Sequence, residues 1–476
     1  MRTGGRILVD QLELNGVDLA FCLPGESYLP VLDALYDSQI RLITCRHEQG
    51  AANAAEAYGK LTGRPGICLV TRGPGATQAA VGVHTAKQDS SPMILLVGQV
   101  PRAFRGREAW QELDYERVFG GIAKAAWEID SAARIPEHMA EAFSLALSGR
   151  PGPVVLALPE DVLVEEAEVA DVARVEPVAV EPEADDLERL RDADVVLALG
   201  GRLGEVPTRR YTLLEPPDPR QTLVHVHPDP AELGRVYEPE LAIAATLPEL
   251  ATALLALDPI DVRWSAWTAA ARAGYERNLE HEPMEGDVDL GEIMAFLRRR
   301  LPADAVQTCG AGNFTVWAHR FAQFTQFGTQ ACPRSGSMGY GLPAAVAAQL
   351  LHRDRTVVCF TGDGDFVMSS PELATAVQYG LPIVVLLVNN GMYATIRMHQ
   401  ERQFPGRVVG TDLENPDFPA LARAYGAHGE RVGGTAGFEA AFERALASGR
   451  PSVLELPVDP ERISPRVKLS ELQAGR

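Results

Sequence analysis

"TGDGDFVMSSPELATAVQYGLPIVVLLVNN", residues 361–390, reads as the end of one strand, a helix with a glycine stop, and a second strand closing on two asparagines. Extended backwards, "TVVCFTGDG" is a β-branched run that meets a Gly-rich turn. A right-handed crossover makes the two strands parallel, so both ends open on the same sheet edge, where α/β proteins bind ligands. Asp363 and Asn390 are thereby expected to face one another. A carboxylate and an amide oxygen are hard donors suited to Mg²⁺. Gly362 and Gly364 would let backbone N–H groups approach a diphosphate. Taken alone, GDG also suits a tight turn, and asparagines also cap elements; the two signals at this spacing favour the metal-diphosphate reading.

The pattern occurs twice. "LVTRGPG" (69–75) leads through a helical stretch to "SPMILLVGQ" (91–99), as "CFTGDGD" (359–365) leads to "LPIVVLLVNN" (381–390), and Thr71 answers Thr361 at the same offset as Pro92 answers Pro382. "LSGRPGPVVLALPED" (147–161) is answered by "ASGRPSVLELPVD" (447–459). The expected fold is α/β: two doubly wound parallel-sheet domains flanking a smaller one. We assign residues 1–170 to the first domain, 171–186 to a Pro- and Glu-rich linker, 187–280 to the middle domain and 281–476 to the last. "DADVVLALGGRLGE" and "TLVHVHPDPAELGRVY" supply two strands of the middle domain.

Composition excludes several classes. The formal charge of −20 and the lack of basic stripes argue against a nucleic-acid partner. No apolar run is long enough to span a bilayer, and the start lacks the features of a secretory signal, so cytoplasmic residence is expected. The six cysteines (Cys22, Cys45, Cys68, Cys309, Cys332, Cys359) are far apart, without C-x-x-C or a histidine at metal-ligand spacing, and read as buried thiols.

GDG followed by NN at this distance resembles the signature of thiamine-diphosphate-dependent enzymes. "CRHEQGAANAAEAYGKLTGRPGICLVTRGPGAT" (45–77) resembles the pyrimidine-binding domain of the acetolactate synthase and 2-oxo acid decarboxylase superfamily, and "SGSMGYGLPAAVAAQL" (335–350) its diphosphate-binding domain. The resemblance implies thiamine diphosphate and Mg²⁺ as cofactors. It makes Glu48 the carboxylate that hydrogen-bonds the pyrimidine ring and favours the tautomer able to deprotonate the thiazolium; otherwise Glu48 is an acid stabilised by a helix dipole. Met338 matches the apolar prop that bends the cofactor, though a core methionine would look the same. Asp363, Asn390 and the Met392 backbone match the metal ligands, with Gly364, Asp365 and Phe366 around the diphosphate. Gly25, Gly75, Gly312, Asn313, Ser337 and Tyr393 complete the implied cofactor contacts. The family places the pyrimidine domain of one subunit against the diphosphate domain of another, implying a homo-oligomer, dimer or tetramer, with active sites at the interface.

For the substrate, Glu26 in "LPGESY" matches an acidic residue over the thiazolium in some decarboxylases, and would relay a proton unless it is a plain loop carboxylate. Gln111 and Trp110 in "REAWQELD" resemble substrate contacts of acetolactate synthases, and Arg202 the middle-domain arginine that pairs with the second carboxylate. His399 stands where those enzymes carry a tryptophan; it suits either proton transfer or an exposed loop. Glu160 stands where they carry a lysine. The middle domain lacks roughly its first half, so no functional FAD is expected. Three functions stay open: an acetolactate synthase-like carboligase acting on a 2-oxo acid, a simple 2-oxo acid decarboxylase of the benzoylformate or pyruvate decarboxylase type, and a non-catalytic cofactor-binding subunit. Glu48 speaks against the last, and "AKQDSSP", in place of paired histidines, favours the first over the second.

Overall fold

A computed structural model describes residues 1–171, 193–205, 207–208, 210–258, 264–281, 283–284, 286–465 and 467–474. The chain forms two compact units, residues 1–177 with 281–476, and residues 178–280. Almost all of the linker expected at 171–186 lies outside the described residues.

The first unit holds two six-stranded parallel sheets. The N-terminal sheet comprises β1 (Leu19–Cys22), β2 (Arg41–Thr44), β3 (Gly66–Val70), β4 (Met93–Gln99), β5 (Ala125–Glu128) and β6 (Pro153–Pro159), in the order β2-β1-β3-β4-β6-β5. The second unit, described by itself, has a parallel three-stranded sheet of β7 (Val195–Leu199), β8 (Thr222–His227) and β9 (Leu241–Ala244), with β8 central. The sequence reading saw two of these strands and missed β9, whose residues are mostly exposed. At one edge of this small sheet, Val195 remains 57% exposed. The C-terminal sheet comprises β10 (Val306–Cys309), β11 (Gln330–Ala331), β12 (Val357–Gly362), β13 (Val384–Asn389), β14 (His428–Arg431) and β15 (Ser452–Pro457), in the order β11-β10-β12-β13-β15-β14. Each strand has its counterpart nine labels earlier, so the echo in the sequence is an echo in topology.

Two helices bring the sheets together. Helix α1 (Glu48–Thr62) is capped by His47, whose Nδ1 accepts from the Gln49 N–H at 3.1 Å, and ends at Gly63 in the left-handed region. Beside it runs α2 (Pro74–Asp89), so close that a β-carbon on Gly82 would lie 2.5 Å from that of Ala52. Helix α3 (Gly341–Leu351) of the C-terminal half packs on α1. Ala51, Ala52, Ala54, Ala55 and Ala57 of α1 and Ala344, Ala345, Ala347 and Ala348 of α3 belong to one buried cluster that reaches both sheets. Small side chains allow that approach, and continuous apolar burial of this kind is the main favourable term in folding.

Polar groups fix the register. The Tyr340 hydroxyl donates to Glu56 Oε2 at 2.6 Å, Ser91 donates to Glu56 Oε1, and half-buried Lys60 pairs with Glu56 at 3.1 Å and with Asp89. Glu372 Oε1 accepts the N–H groups of Arg46 and His47, both at 3.0 Å.

Candidate active site

The stretch around GDG sits as the parallel register dictates. Gly362 pairs with Val388, so Asp363 and the two asparagines emerge side by side at the carboxyl edge of the sheet. The expected glycine turn is itself the start of a short helix, α4 (Asp363–Ser369); α5 (Glu372–Gln378) follows and stops before Gly380, at φ +60°.

Asp363 is held from three directions. Its Oδ1 accepts the Gly364 N–H at 2.9 Å, and its Oδ2 accepts the Gly391 N–H at 2.8 Å and the Asn415 amide at 2.7 Å. Burial raises its pKa, and these donors act in the opposite direction. Asn390 Oδ1 accepts the Met392 N–H at 3.2 Å, so the amide oxygen, the Met392 backbone and Asp363 are joined through one tight loop. Among the described residues the Met392 carbonyl accepts only the Ala394 N–H of the adjoining turn, at 2.9 Å, which leaves a second lone pair. The neighbouring Asn389 is a tie: it accepts from Asn415 at 2.9 Å and donates to buried Glu455 at 2.8 Å. Asn415, Asn389 and Glu455 therefore orient the candidate ligands. Asn415 is absent from the sequence-based assignments.

The other expected contacts take protein partners. The Asp365 side chain turns inward. Its Oδ1 accepts the N–H groups of Gly339 (2.8 Å) and Ala311 (3.2 Å), and its Oδ2 accepts the Thr361 hydroxyl (2.6 Å). Burial pushes this carboxyl up to about 6 despite those donors. Asp365 thus bridges the loops 310–314 and 333–340 from inside. Phe366 lies in the core, edge-on to Phe418 with ring centroids 5.9 Å apart. A β-carbon on Gly362 would meet the Phe314 ring at 2.9 Å and one on Gly364 the Tyr393 ring at 2.5 Å, so aromatic rings fill the space these glycines leave. The Gly364 N–H is directed at Asp363 rather than outward. Gly312 also lies under Phe314, while Asn313, Phe314, Trp317 and Asn390 line one small cavity. The Thr395 hydroxyl donates to Asn313 Oδ1 at 2.9 Å, tying that loop to α6 (Ala394–Gln403). His399, read as suiting either proton transfer or an exposed loop, is half-buried on this helix.

At the N-terminal edge, Glu48 opens α1, 7% exposed, and its carboxylate has no hydrogen-bond partner among the described residues. Its Oε1 lies 3.3 Å from where a β-carbon of Gly75 would be, so glycine there keeps the carboxylate's surroundings open. The next residue, Gln49, donates its amide to the Met338 carbonyl at 3.3 Å, which brings Glu48 and Met338 to the same junction within the chain. Ser337 Oγ is buried without a partner among the described residues.

The loop 23–28 packs on the loop after β3: Ser27 and Thr71 hydroxyls are 2.9 Å apart, and a β-carbon on Gly25 would collide with Thr71. Gln111, at φ +62°, presses against Gly73, two residues from Gly75. Trp110 is 73% exposed, and its carbonyl accepts from Arg72 Nε at 3.1 Å. Buried Arg72, absent from the sequence-based assignments, also pairs with Glu160 and, at 3.5 Å, with exposed Glu26. Arg202 belongs to the second unit, on the segment following β7.

A buried carboxylate and a buried serine hydroxyl, neither with a hydrogen-bond partner among the described residues, together with an oxygen-rich loop held by amides, are donors that fit a cofactor with a polar heteroaromatic ring and a metal-bound diphosphate. Comparison with known proteins agrees. Family models for the N-terminal TPP-binding, central and C-terminal TPP-binding domains of thiamine pyrophosphate enzymes match residues 2–118, 179–254 and 310–456. The chain is 31% identical to the acetolactate synthase isozyme 2 large subunit of Escherichia coli (strain K12), covering 96% of this chain and 95% of that one. It is 30% identical to the acetolactate synthase large subunit of Parasynechococcus marenigrum (strain WH8102), covering 96% and 87%. The probable acetolactate synthase large subunit of Methanocaldococcus jannaschii is 29% identical over 98% of this chain and 93% of its own. Among the described residues no helix is long and apolar enough to cross a membrane.

Proposed function

The chain belongs to the thiamine pyrophosphate enzyme family, and from that premise we propose that it is an Mg²⁺-dependent carboligase that decarboxylates pyruvate or a related 2-oxo acid and passes the acyl unit to a carbonyl acceptor. Thiamine diphosphate, when bound, supplies the acidic thiazolium carbon and the electron sink that decarboxylation requires. The observation that carries the reading is Glu48: buried, unpartnered among the described residues, and one residue from the contact with Met338.

The chain's own groups divide the work. Glu48 holds a proton at its carboxylate against the pyrimidine ring. Asp363, Asn390 and the Met392 carbonyl hold the metal, and Asn415 keeps Asp363 oriented. Met338 props the ring system, and Ser337 donates to the cofactor. Glu26, turned by Arg72, relays a proton at the mouth, while Gln111 orients substrate. Arg202 and His399 are assigned weaker substrate roles. We propose no functional flavin, since the shortened middle domain offers a small sheet.

The simple decarboxylase remains a second reading for a specific reason. Two carboxylates, Glu26 and Glu160, share the Arg72 guanidinium, so a second anionic 2-oxo acid arriving there meets a net negative rim. Incubation with pyruvate, Mg²⁺ and thiamine diphosphate, following CO₂, acetaldehyde and acetolactate together, tests the choice. Acetolactate that disappears in Glu48→Gln supports carboligation; acetaldehyde alone supports the second reading.

The working enzyme is a homo-oligomer in this proposal, with sites shared between subunits. Mixing inactive Glu48→Gln and Asp363→Asn proteins under subunit exchange tests it. Recovered activity supports a shared site, whereas none supports closure of the site within each chain, where Gln49 already reaches Met338.

A further inference from the structure

Among the groups that this reading leaves unused is a pair of sulfurs. Four cysteines are free and buried, as expected, but Cys309 and Cys332 are bonded to each other, which corrects the reading of all six as thiols. They are 23 residues apart in sequence, so spacing gave no hint, and β10 and β11 bring them together as parallel neighbours with Cα atoms 5.0 Å apart.

Their position is informative. Cys309 ends β10 and directly precedes the loop 310–314; Cys332 follows β11 and directly precedes the loop 333–340 with Ser337 and Met338. These are the two loops that Asp365 joins at their far side through Ala311 and Gly339. The segment after Cys332 is anchored to the N-terminal half as well: Lys60 donates to the Cys332 carbonyl at 2.9 Å, and Asp89 accepts the Arg334 N–H. A covalent link thus stands at the base of the same two loops that a buried carboxylate clamps.

The chemistry needed for exchange is present. Cys332 is half-buried, within reach of a small molecule, and Cys309 is buried behind it. His319 Nε2 lies 3.8 Å from Cys309 Sγ, and Gln330 approaches the other ring nitrogen at 3.4 Å. With the Gln330 amide donating to Nδ1, Nε2 carries the proton and directs it at the sulfur, which favours a thiolate there.

We propose that Cys309 and Cys332 form a reversible thiol–disulfide site that exchanges with a low-molecular-weight disulfide and sets how firmly the two cofactor loops are held together. The second half of this proposal rests on the cofactor reading above. Starting from the reduced protein, the Cys332 thiolate attacks the small disulfide, forming a mixed disulfide and expelling one thiolate. The Cys309 thiolate then attacks Cys332 Sγ, forming the internal bond and expelling the second. Two protein thiols are oxidised, one small disulfide is reduced to two thiols, and the two protons pass to those thiols.

The test equilibrates the holoenzyme in glutathione and glutathione disulfide at graded ratios, quenches in acid, unfolds, alkylates and weighs the protein. Four alkyl groups are expected at the oxidising end, on Cys22, Cys45, Cys68 and Cys359, and six at the reducing end. Six at every ratio would overturn the proposal, as would a glutathione adduct at Cys332 that never resolves. Stoichiometric zinc on the reduced protein with both thiols and His319 protected would overturn it in favour of a metal site. Thiamine diphosphate should leave the oxidised form about tenfold more slowly than the reduced form, and Cys332→Ser should behave as reduced at both ends. Equal release rates would overturn the loop-holding half. A protein that retains no thiamine diphosphate in either state refutes the cofactor reading, while the alkyl count still decides the sulfur site.

Discussion

Replacing Gly310 by alanine tests the clamp made by Asp365. A β-carbon at Gly310 would lie 1.8 Å from Asp365 Oδ2 and 2.4 Å from both Cγ and Oδ1, where ordinary contact begins near 3.4 Å. The carboxylate must therefore retreat by about 1.5 Å, or β10 must bend away. Either movement loosens the bonds from Gly339, Ala311 and Thr361. A hydrogen bond to a charged group contributes about 1.5–3 kcal/mol, and overpacking costs about 1–3 kcal/mol. With partial relaxation, we expect a loss of about 3 kcal/mol, near the upper range for one substitution. For a body of about 370 residues, whose unfolding entropy is about 2.1 cal/mol/K per residue, that corresponds to a fall in thermal midpoint of about 4 °C. Displacement of both loops should also weaken thiamine diphosphate binding by about 100-fold, followed by fluorescence titration. Thr361→Val removes one of the three bonds without crowding and should fall between wild type and Gly310→Ala. Gly121→Ala, whose β-carbon would meet nothing within 4 Å, should leave both quantities unchanged. Wild-type stability and affinity in Gly310→Ala would refute the assignment of Asp365 as the bridge between the loops.

Glu48→Gln should lower the rate of substrate turnover by about 10²–10⁴-fold while the thermal midpoint stays put, because the carboxylate makes no hydrogen bond among the described residues that its loss would break; a stability loss without a rate loss would contradict the assignment. Asn415→Ala should weaken Mg²⁺ binding by about 10–100-fold, as removal of an orienting neighbour of a metal ligand does, measured by Mg²⁺ titration of activity; an unchanged titration would detach Asn415 from the metal site. Tyr340→Phe removes the 2.6 Å bond to buried Glu56 and should cost about 1–3 kcal/mol, read as a lower thermal midpoint with the Mg²⁺ titration unaffected.

The sheets were legible where strands are buried on both faces. "GICLV", "MILLVGQ" and "VVLLVN" are continuous apolar runs, and each became a central strand. The strands that escaped notice in the large sheets lie at their edges: "AAWE" in β5, the two residues of β11 and "HGER" in β14. Half-covered edges do not demand an apolar run, so composition leaves no mark there. The candidate site divides similarly. Asp363 and Asn390 were legible because a crossover of fixed hand forces their strand ends together. Asn415, Arg72 and the sulfur pair were not, because each reaches its partner across distances in sequence that only the folded chain closes. The inward turn of the Asp365 side chain was not legible, because the direction a side chain takes at the start of a helix depends on donors elsewhere, here Gly339 and Ala311.

The alanines between α1 and α3 set a tolerance. A methyl side chain has no rotamers to lose or to exchange, so the spacing between these helices is fixed by backbone alone and cannot be tuned by a side chain swinging aside. The start of α1 carries Glu48, and α3 follows directly on the loop with Met338. Their separation therefore behaves as a rigid gauge block: an added methylene within that contact would act as a wedge, transmitting its width to Glu48 without touching it.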